Sequence, residues 1–305
     1  MSIAESTECV KSIASALGFS FCGVSTAAYL EEEAPKLETW LNRGYAGKMA
    51  YLEKNLDLRL DPRKLVPGAK SVVSLMYNYF PKEELPESGF KISKYAYGED
   101  YHGVIKDLLY EMVSRLREQI GDIQGRVFVD SAPVMERTWA ARSGLGWIGK
   151  NSLLLNKQSG SYFFLAELIL DLELEPDGPI RDYCGTCTAC MDACPTGAIP
   201  EPYVVNGNAC ISYYTIELKE AIPESMKGKF ANWIFGCDIC QDVCPWNRFS
   251  KPNDQPRFAP SEELKGMKSS DWKELTESVF QQVFSRSAVR RTGYEGLTRN
   301  IRFIS

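Results

Sequence analysis

Histidine is almost absent from this chain: His102 is the single one in 305 residues. Imidazole-built zinc centres and nucleophile–histidine–acid triads are disfavoured by that scarcity, since a lone histidine is more often structural. Long apolar runs are missing too. No stretch reaches the roughly eighteen apolar residues that span a bilayer. Met1 to Gly18 mixes small, polar and apolar residues at helical spacing and lacks the uninterrupted apolar core of a secretory signal. The expectation is a protein without membrane association, working in the cytoplasm. Positive charge is not in excess either, with 35 Lys and Arg against 40 Asp and Glu for a net charge of −5. The chain as a whole therefore does not advertise phosphate binding. The charge is uneven, however: between Gln281 and Ser305 five arginines (Arg286, Arg290, Arg291, Arg299, Arg302) stand against the single acid Glu295. A solvated helix face is the plainer account of that run.

What remains is ordinary in bulk and unusual in cysteine. Apolar residues make up 44% and charged residues 25%, the composition of a globular chain long enough for two domains. Eight of the ten cysteines fall in two interlocking sets. The first reads Cys184-x-x-Cys187-x-x-Cys190-x-x-x-Cys194-Pro195, and the second reads Cys210, then Cys237-x-x-Cys240-x-x-x-Cys244-Pro245. A cubane cluster needs four thiolates converging on one small volume, and two intervening residues let a tight loop present neighbouring sulfurs to it. The last cysteine of each run lies a helical step beyond the loop and serves the other cluster. This assigns Cys184, Cys187, Cys190 and Cys244 to cluster one and Cys194, Cys210, Cys237 and Cys240 to cluster two, both [4Fe-4S]. The prolines after Cys194 and Cys244 lack an N–H and turn the chain away once the ligand is delivered. A disulfide framework would spread its cysteines as staples. Structural zinc also accepts four cysteines, but it does not account for the crossed runs or their Cys-Pro endings. Cys9 and Cys22 lie outside the pattern and read as small buried hydrophobes.

The expected fold class is α+β/α/β, with residues 1–178 reading as an α/β domain. Helices are expected at Ile3–Leu17, across Ala28–Leu56, at Val104–Ile120 and at Val134–Ser143. Strands are expected at Phe19–Val24, Ser71–Tyr79 and Arg126–Asp130, with Ser152–Asn156 pairing Tyr162–Leu174. The turn cluster Pro176-Asp177-Gly178-Pro179 is the best boundary. A ferredoxin-like two-cluster module follows over 179–250, then a proline-punctuated linker and two or three helices that make 251–305 a short helical tail. Apart from the doubled cysteine runs there is no full internal repeat.

Gly144-Leu145-Gly146-Trp147-Ile148-Gly149 matches the dinucleotide fingerprint letter for letter, but that motif works between a strand and a helix. Here a helical stretch precedes it and the β-like Leu153-Leu154-Leu155 follows. Asp130 closes the strand Val127-Phe128-Val129 at the edge where open α/β sheets bind ligands. Equally, Asp130 or Ser131 could cap the helix after Val134.

Taken together, several segments resemble the epoxyqueuosine reductase family. They are Leu60-Asp61-Pro62-Arg63 with Pro67-Gly68-Ala69-Lys70-Ser71-Val72, the Tyr95–His102 stretch, Val129-Asp130-Ser131-Ala132-Pro133, Gly144–Gly149 with Lys150-Asn151, and the two cysteine runs. They follow the family's order over nearly the whole chain. The resemblance implies an amino-terminal domain that holds cobalamin, with the two-cluster module feeding it single electrons. It also implies reduction of epoxyqueuosine at the wobble position of tRNA to queuosine, with release of water. Asp130 matches the family's proposed proton donor. Contacts to cobalamin are expected from Arg59, Tyr95, Ala96, Tyr97, Asp130, Lys150, Asn151, Ser152, Leu154 and Leu165, and the cobalt is not expected to take a protein ligand from below. A free aspartate, with a pKa of about 3.9, is a poor donor at neutral pH, so burial beside the corrin is expected to raise it. The low-potential electron donor is unidentified, and a monomer is expected.

One departure stands out. Many family members continue into a helical-repeat domain that grips the anticodon stem-loop, whereas this sequence ends soon after Ser287–Gly293 and Leu297–Asn300, which resemble the start of such a repeat. Arg290, Arg291 and Arg299 are then candidate tRNA contacts. Three rival classes are an electron-transfer protein without chemistry of its own, a reductive dehalogenase-like cobalamin enzyme, and a cluster-bearing RNA-binding module. The second usually carries a twin-arginine leader, and the only Arg-Arg pair here is Arg290-Arg291.

Overall fold

A computed structural model describes residues 1–87 and 89–305. At its centre lie four strands, β1 (Phe21–Thr26), β2 (Ser71–Asn78), β3 (Gly125–Phe128) and β4 (Phe163–Leu170). Val72, Val73, Leu75 and Met76 in β2 and Leu168, Ile169 and Leu170 in β4 are almost wholly buried, the near-continuous apolar run of a strand covered on both faces. The order is β1–β2–β4–β3 and every pair is antiparallel. The sheet therefore belongs to the α+β side of the expected fold class. Parallel-sheet logic does not explain why Asp130 sits where it does. Asp130 instead follows β3 by two residues in a turn with φ of +44°, in the left-handed region that Asp tolerates better than most.

Period-two alternation divides the sheet's side chains. Val73, Leu75, Phe164, Ala166 and Leu168 face α1 (Ile3–Ala16) and α2 (Tyr101–Ile120). Val72 and Ile169 face Trp139, and Met76 packs with Ala140, both in α3 (Glu136–Arg142). α1 opens on a capping box between Ser2 and Glu5, which satisfies two otherwise orphaned N–H groups. α2 opens on Asp100, whose carboxylate accepts the His102 N–H.

Three expectations change. Leu154–Leu155 pairs not with Phe163–Leu170 but with Trp147–Ile148, in a two-stranded hairpin, so the glycine-rich fingerprint lies in a β-hairpin and does not open a helix. Its glycines serve close backbone approach: a Cβ on Gly146 would stand 2.2 Å from the Leu155 carbonyl oxygen. The Ala28–Leu56 region holds one regular helix, Ala34–Asn42, followed by a 3-10 turn at Ala50–Leu52. Four α-helices follow residue 261, where two or three were expected.

The cluster module is short-ranged in structure, with helices Ala189–Asp192 and Ile239–Asp242 and a strand Trp233–Phe235 that pairs in parallel with Lys91–Ile92 of the preceding region. The carboxyl-terminal segment is built into the body. Phe280 and Phe284 of α4 (Glu277–Phe284) and Leu297 and Ile301 of α5 (Gly293–Ile304) join the same core as Val10, Val104 and Leu168. Asn300 is fully buried, and its Nδ2 donates to the carbonyls of Thr215 and Ile234, both at 2.8 Å. Among the described residues no helix is long and apolar enough to cross a membrane. Asn300→Ala leaves two buried carbonyls without a donor and is expected to cost about 2–4 kcal/mol. Urea unfolding checks this, because a segment that were a loose tail would cost nothing.

Candidate active site

Local loops place the thiols. Cys184, Cys187, Cys190 and Cys244 line one cavity of about 180 Å³. Burial raises the proton affinity of Cys190, and the neighbouring charges of Cys244, Cys184 and Cys187 add to it. Cys240 is raised in the same way, by burial first and then by Cys210, Cys237 and Cys194. The fold thus brings Cys244 to Cys184, Cys187 and Cys190, and brings Cys194, Cys210 and Cys237 to Cys240. Among the described residues no group of three His, Cys, Asp or Glu side chains could hold a single metal ion. The donor set is soft sulfur with N–H groups aimed at it: Trp147 Nε1 lies 3.4 Å from Cys184 Sγ, and the Ala198 N–H lies 3.3 Å from Cys194 Sγ. That chemistry suits iron–sulfur clusters, whose cationic iron offsets the burial of thiolate. Cys187 is exposed and the other seven thiols are half-buried. The first site thus opens at the surface through Cys187.

A larger cavity, about 680 Å³, opens between the sheet and the second cysteine loop. Gln241, next to Cys240, lines it and binds the Tyr79 hydroxyl and the Ser161 carbonyl through Nε2, at 3.1 and 3.0 Å. Tyr95, Phe164, Leu154 and Leu165 give it an apolar wall, and Asp130, Glu136, Arg137 and His102 give it a polar one. Tyr101 stacks on Phe164 with centroids 4.3 Å apart and donates its hydroxyl to Asp130 Oδ2 at 2.6 Å. The phenol keeps its proton, since burial and the Asp130 charge push its pKa well up. His102 lies over Tyr101, with Nδ1 2.7 Å from Asp100 and Nε2 3.9 Å from Asp130 Oδ2.

The burial expected for Asp130 is not supplied by the protein, because its side chain is 65% exposed. Desolvation falls instead on two acids behind it. Glu136 Oε1 accepts the Asp130 N–H at 2.5 Å. Burial first, then the Asp130 charge, raises the proton affinity of Glu136, and Glu167 is raised still more clearly by burial and by Glu136. Sequence reading missed this pair. The available signal was Glu167 itself, one acid inside Phe-Phe-Leu-Ala-Glu-Leu-Ile-Leu.

The other expected site residues divide into two groups. Tyr95, Asp130, Leu154, Leu165, Arg290 and Arg291 all line the large cavity. The rest have different neighbours. Lys150 Nζ donates to the Gly185 and Cys187 carbonyls at 2.7 and 2.9 Å, and Asn151 Nδ2 donates to Cys240 O at 3.0 Å; their side chains fasten the cysteine loops. Ser152 donates to Tyr203 O. Ala96 and Tyr97 are buried in the core, where the Ala96 carbonyl accepts from Ser287. Arg59 reaches the carbonyl of the cavity residue Tyr51 at 3.5 Å, and its buried Nε has no partner. Arg299 is turned inward, donating to the carbonyls of Leu218, Glu220 and Tyr214. That corrects its reading as a phosphate contact. Arg291 is held bidentate by Glu217, while Arg290 is exposed at the cavity edge.

Eight thiols in two crossed sets beside an acid-lined cavity define a double-cluster iron–sulfur oxidoreductase. Residues 183–247 match the family described as a 4Fe-4S double cluster binding domain, and residues 59–131 match Epoxyqueuosine reductase QueG. The chain is 63% identical to the epoxyqueuosine reductase of Cyclobacterium marinum, covering 99% of this chain and 97% of that one. It is 42% identical to the enzyme of Escherichia coli, covering 93% and 76%. A crystal structure of epoxyqueuosine reductase with an epoxyqueuosine-modified tRNA-Tyr stem loop superimposes with a TM-score of 0.90 at 30% identity, covering 97% of this chain and 80% of that one. The enzyme from Bacillus subtilis, solved with its catalytic aspartate loop swung out of the active site, gives 0.89 at 29% identity, with the same coverage. The chain belongs to the epoxyqueuosine reductase family.

Replacing one thiolate per set tests the ligand assignment. Cys187→Ser and Cys210→Ser are each expected to lower bound iron from about eight to about four atoms per chain after anaerobic reconstitution. Iron and sulfide analysis reads the change.

Proposed function

We propose that this protein reduces epoxyqueuosine at the wobble position of tRNA to queuosine, releasing water, with cobalamin in the large cavity and two [4Fe-4S] clusters on the eight cysteines. One observation carries the reading: the Asp130 carboxylate, fixed by the Tyr101 hydroxyl, and Gln241 of the second cysteine loop line the same cavity. A proton source and the end of an electron path thus open on one space. The apolar wall of Tyr95, Leu154, Phe164 and Leu165 suits the face of a flat macrocycle. Arg59, Tyr51 and the hairpin after Trp147 are the neighbours available to its periphery and tail. When bound, cobalamin supplies a low-potential metal centre able to pass electrons into the epoxide.

The residues of the chain do the rest. Cys187 is exposed, so a low-potential donor meets the first cluster, and electrons leave through the second set, beside Gln241. Tyr101 and His102 hold Asp130 in place to give a proton to the epoxide oxygen, a transfer worth about 10²–10⁴ in rate for a well-placed acid. Arg290 at the cavity edge is placed for a tRNA phosphate, with Arg291 shaping the rim through its pair with Glu217. A reducing cytoplasm suits the exposed Cys187.

Anaerobic turnover of epoxyqueuosine-bearing tRNA with and without cobalamin, read by nucleoside mass spectrometry, tests the activity. Conversion only with cobalamin is expected, and no conversion by fully loaded protein would overturn the reading. Asp130→Asn is expected to keep both clusters and cobalamin yet lose about a hundredfold or more in kcat. Joint Arg290→Ala and Arg291→Ala is expected to flatten the log Kd against log salt slope by about 1–2, measured by titrating tRNA at several salt concentrations. An unchanged slope would place the tRNA elsewhere.

A further inference from the structure

We infer that Glu136 and Glu167 form a proton-holding pair in the cavity wall that supplies the second proton consumed in each turnover. The inference rests on the reductase reading above. Removing an epoxide oxygen as water breaks two C–O bonds and forms one C=C bond. It takes up two electrons, delivered from the external one-electron donor through the clusters, and two protons, both of which leave on the oxygen. Asp130 carries one proton at a time. Tyr101 is not a second source, because its buried phenol is held neutral and is already spent on Asp130. A bound tRNA loop over the cavity would also slow reloading from bulk water.

Glu167 stands in the middle of β4, opposite Ser74 of β2 and Phe128 of β3, with 0% of its surface exposed. Neither of its carboxyl oxygens meets a hydrogen-bond donor in the structure. The neighbouring group that acts on it is the carboxyl of Glu136, the first residue of α3, which lines the same cavity as Asp130. A wholly buried carboxyl with no donor is costly to ionise beside a second carboxyl, so the pair holds a proton. Direction follows from the partners. Glu136 already accepts the Asp130 N–H and has the Arg137 cation beside it, so it is the better carboxylate and Glu167 the proton bearer.

The charged and titratable groups acting on the pair are Asp130, Arg137 and each other, with the Tyr101 phenol also feeling Glu136. Delivery then balances: the Glu167 proton passes to Glu136, Glu136 gives it to the leaving oxygen, and the pair reloads from solvent when product departs. Glu136 would be the residue meeting the reacting oxygen, and Glu167 would act through it.

Infrared difference spectroscopy on the cluster-loaded protein provides a readout without substrate. A protonated-carboxyl carbonyl band is expected at neutral pH, shifted in D₂O and absent from the near-isosteric Glu167→Gln. The pair's proton is stabilising while bound and is lost as pH rises, so the wild-type kcat is expected to fall on the alkaline side. Glu167→Gln, with clusters and cobalamin retained, is expected to lose about a hundredfold in kcat with KM unchanged and to lose that alkaline limb. Glu136→Gln provides the same test should the first variant fail to fold. Absence of the band in the wild type overturns the shared proton, and normal kcat with an unmoved pH profile in either variant overturns its delivery. A wild type that shows the band but converts no tRNA overturns the reductase reading, and with it the delivery role, while leaving the pair itself intact.

Discussion

The eight-residue antiparallel pairing of β2 with β4 is the constraint on which the rest of this molecule depends. Both strands are covered on both faces, so a one-residue slip would exchange the two apolar sets and bring every side chain to the wrong layer. That register puts Phe164 against Tyr101 on one face and Leu165 and Glu167 on the other, with Leu165 at the cavity. Because β3 pairs along β4, the turn that carries Asp130 emerges over the same space. An apolar platform, a held aspartate and a buried acid are thus consequences of one register.

Electrostatics then separates the roles of similar groups. Asp130 is exposed and fixed by a phenol, while Glu136 and Glu167, a few residues away in space, lie where charge is costly. The same contrast recurs among the cysteines. One set opens at the surface through Cys187, and the other is half-buried beside Gln241, which lines the cavity. Lys150 and Asn151 tie this arrangement to the hairpin after Trp147 by donating to carbonyls of both cysteine loops, so the loops and the cavity wall keep a fixed relation.

The two-cluster module was legible because cluster binding is a local demand: spacing along the chain is the chemistry. The core strands and α1 and α2 were legible because their apolar periods are long and strong. Strand direction was not, since Val- and Leu-rich segments read alike in parallel and antiparallel sheets. The partner of Leu154–Leu155 was misjudged for a related reason: two nearby β-like runs compete for it, and only the close approach allowed by Gly146 decides. Arg299 looked like part of a basic surface because a sequence records charge but not direction. In the fold it caps carbonyls of the 214–220 segment.

The sequence by itself determined the chemistry of the chain: sulfur ligands at cluster spacing, an acid before a glycine-rich hairpin, and the family order of its motifs, all carried by residue identity and short-range geometry. Tertiary structure alone decided which of these groups meet. It set the antiparallel sheet and built the carboxyl-terminal helices into the core. It brought Glu167 to Glu136 and Gln241 to the cavity from segments far apart in the chain. Those outcomes depend on packing two faces of one sheet at once, and that competition among distant residues leaves no local trace.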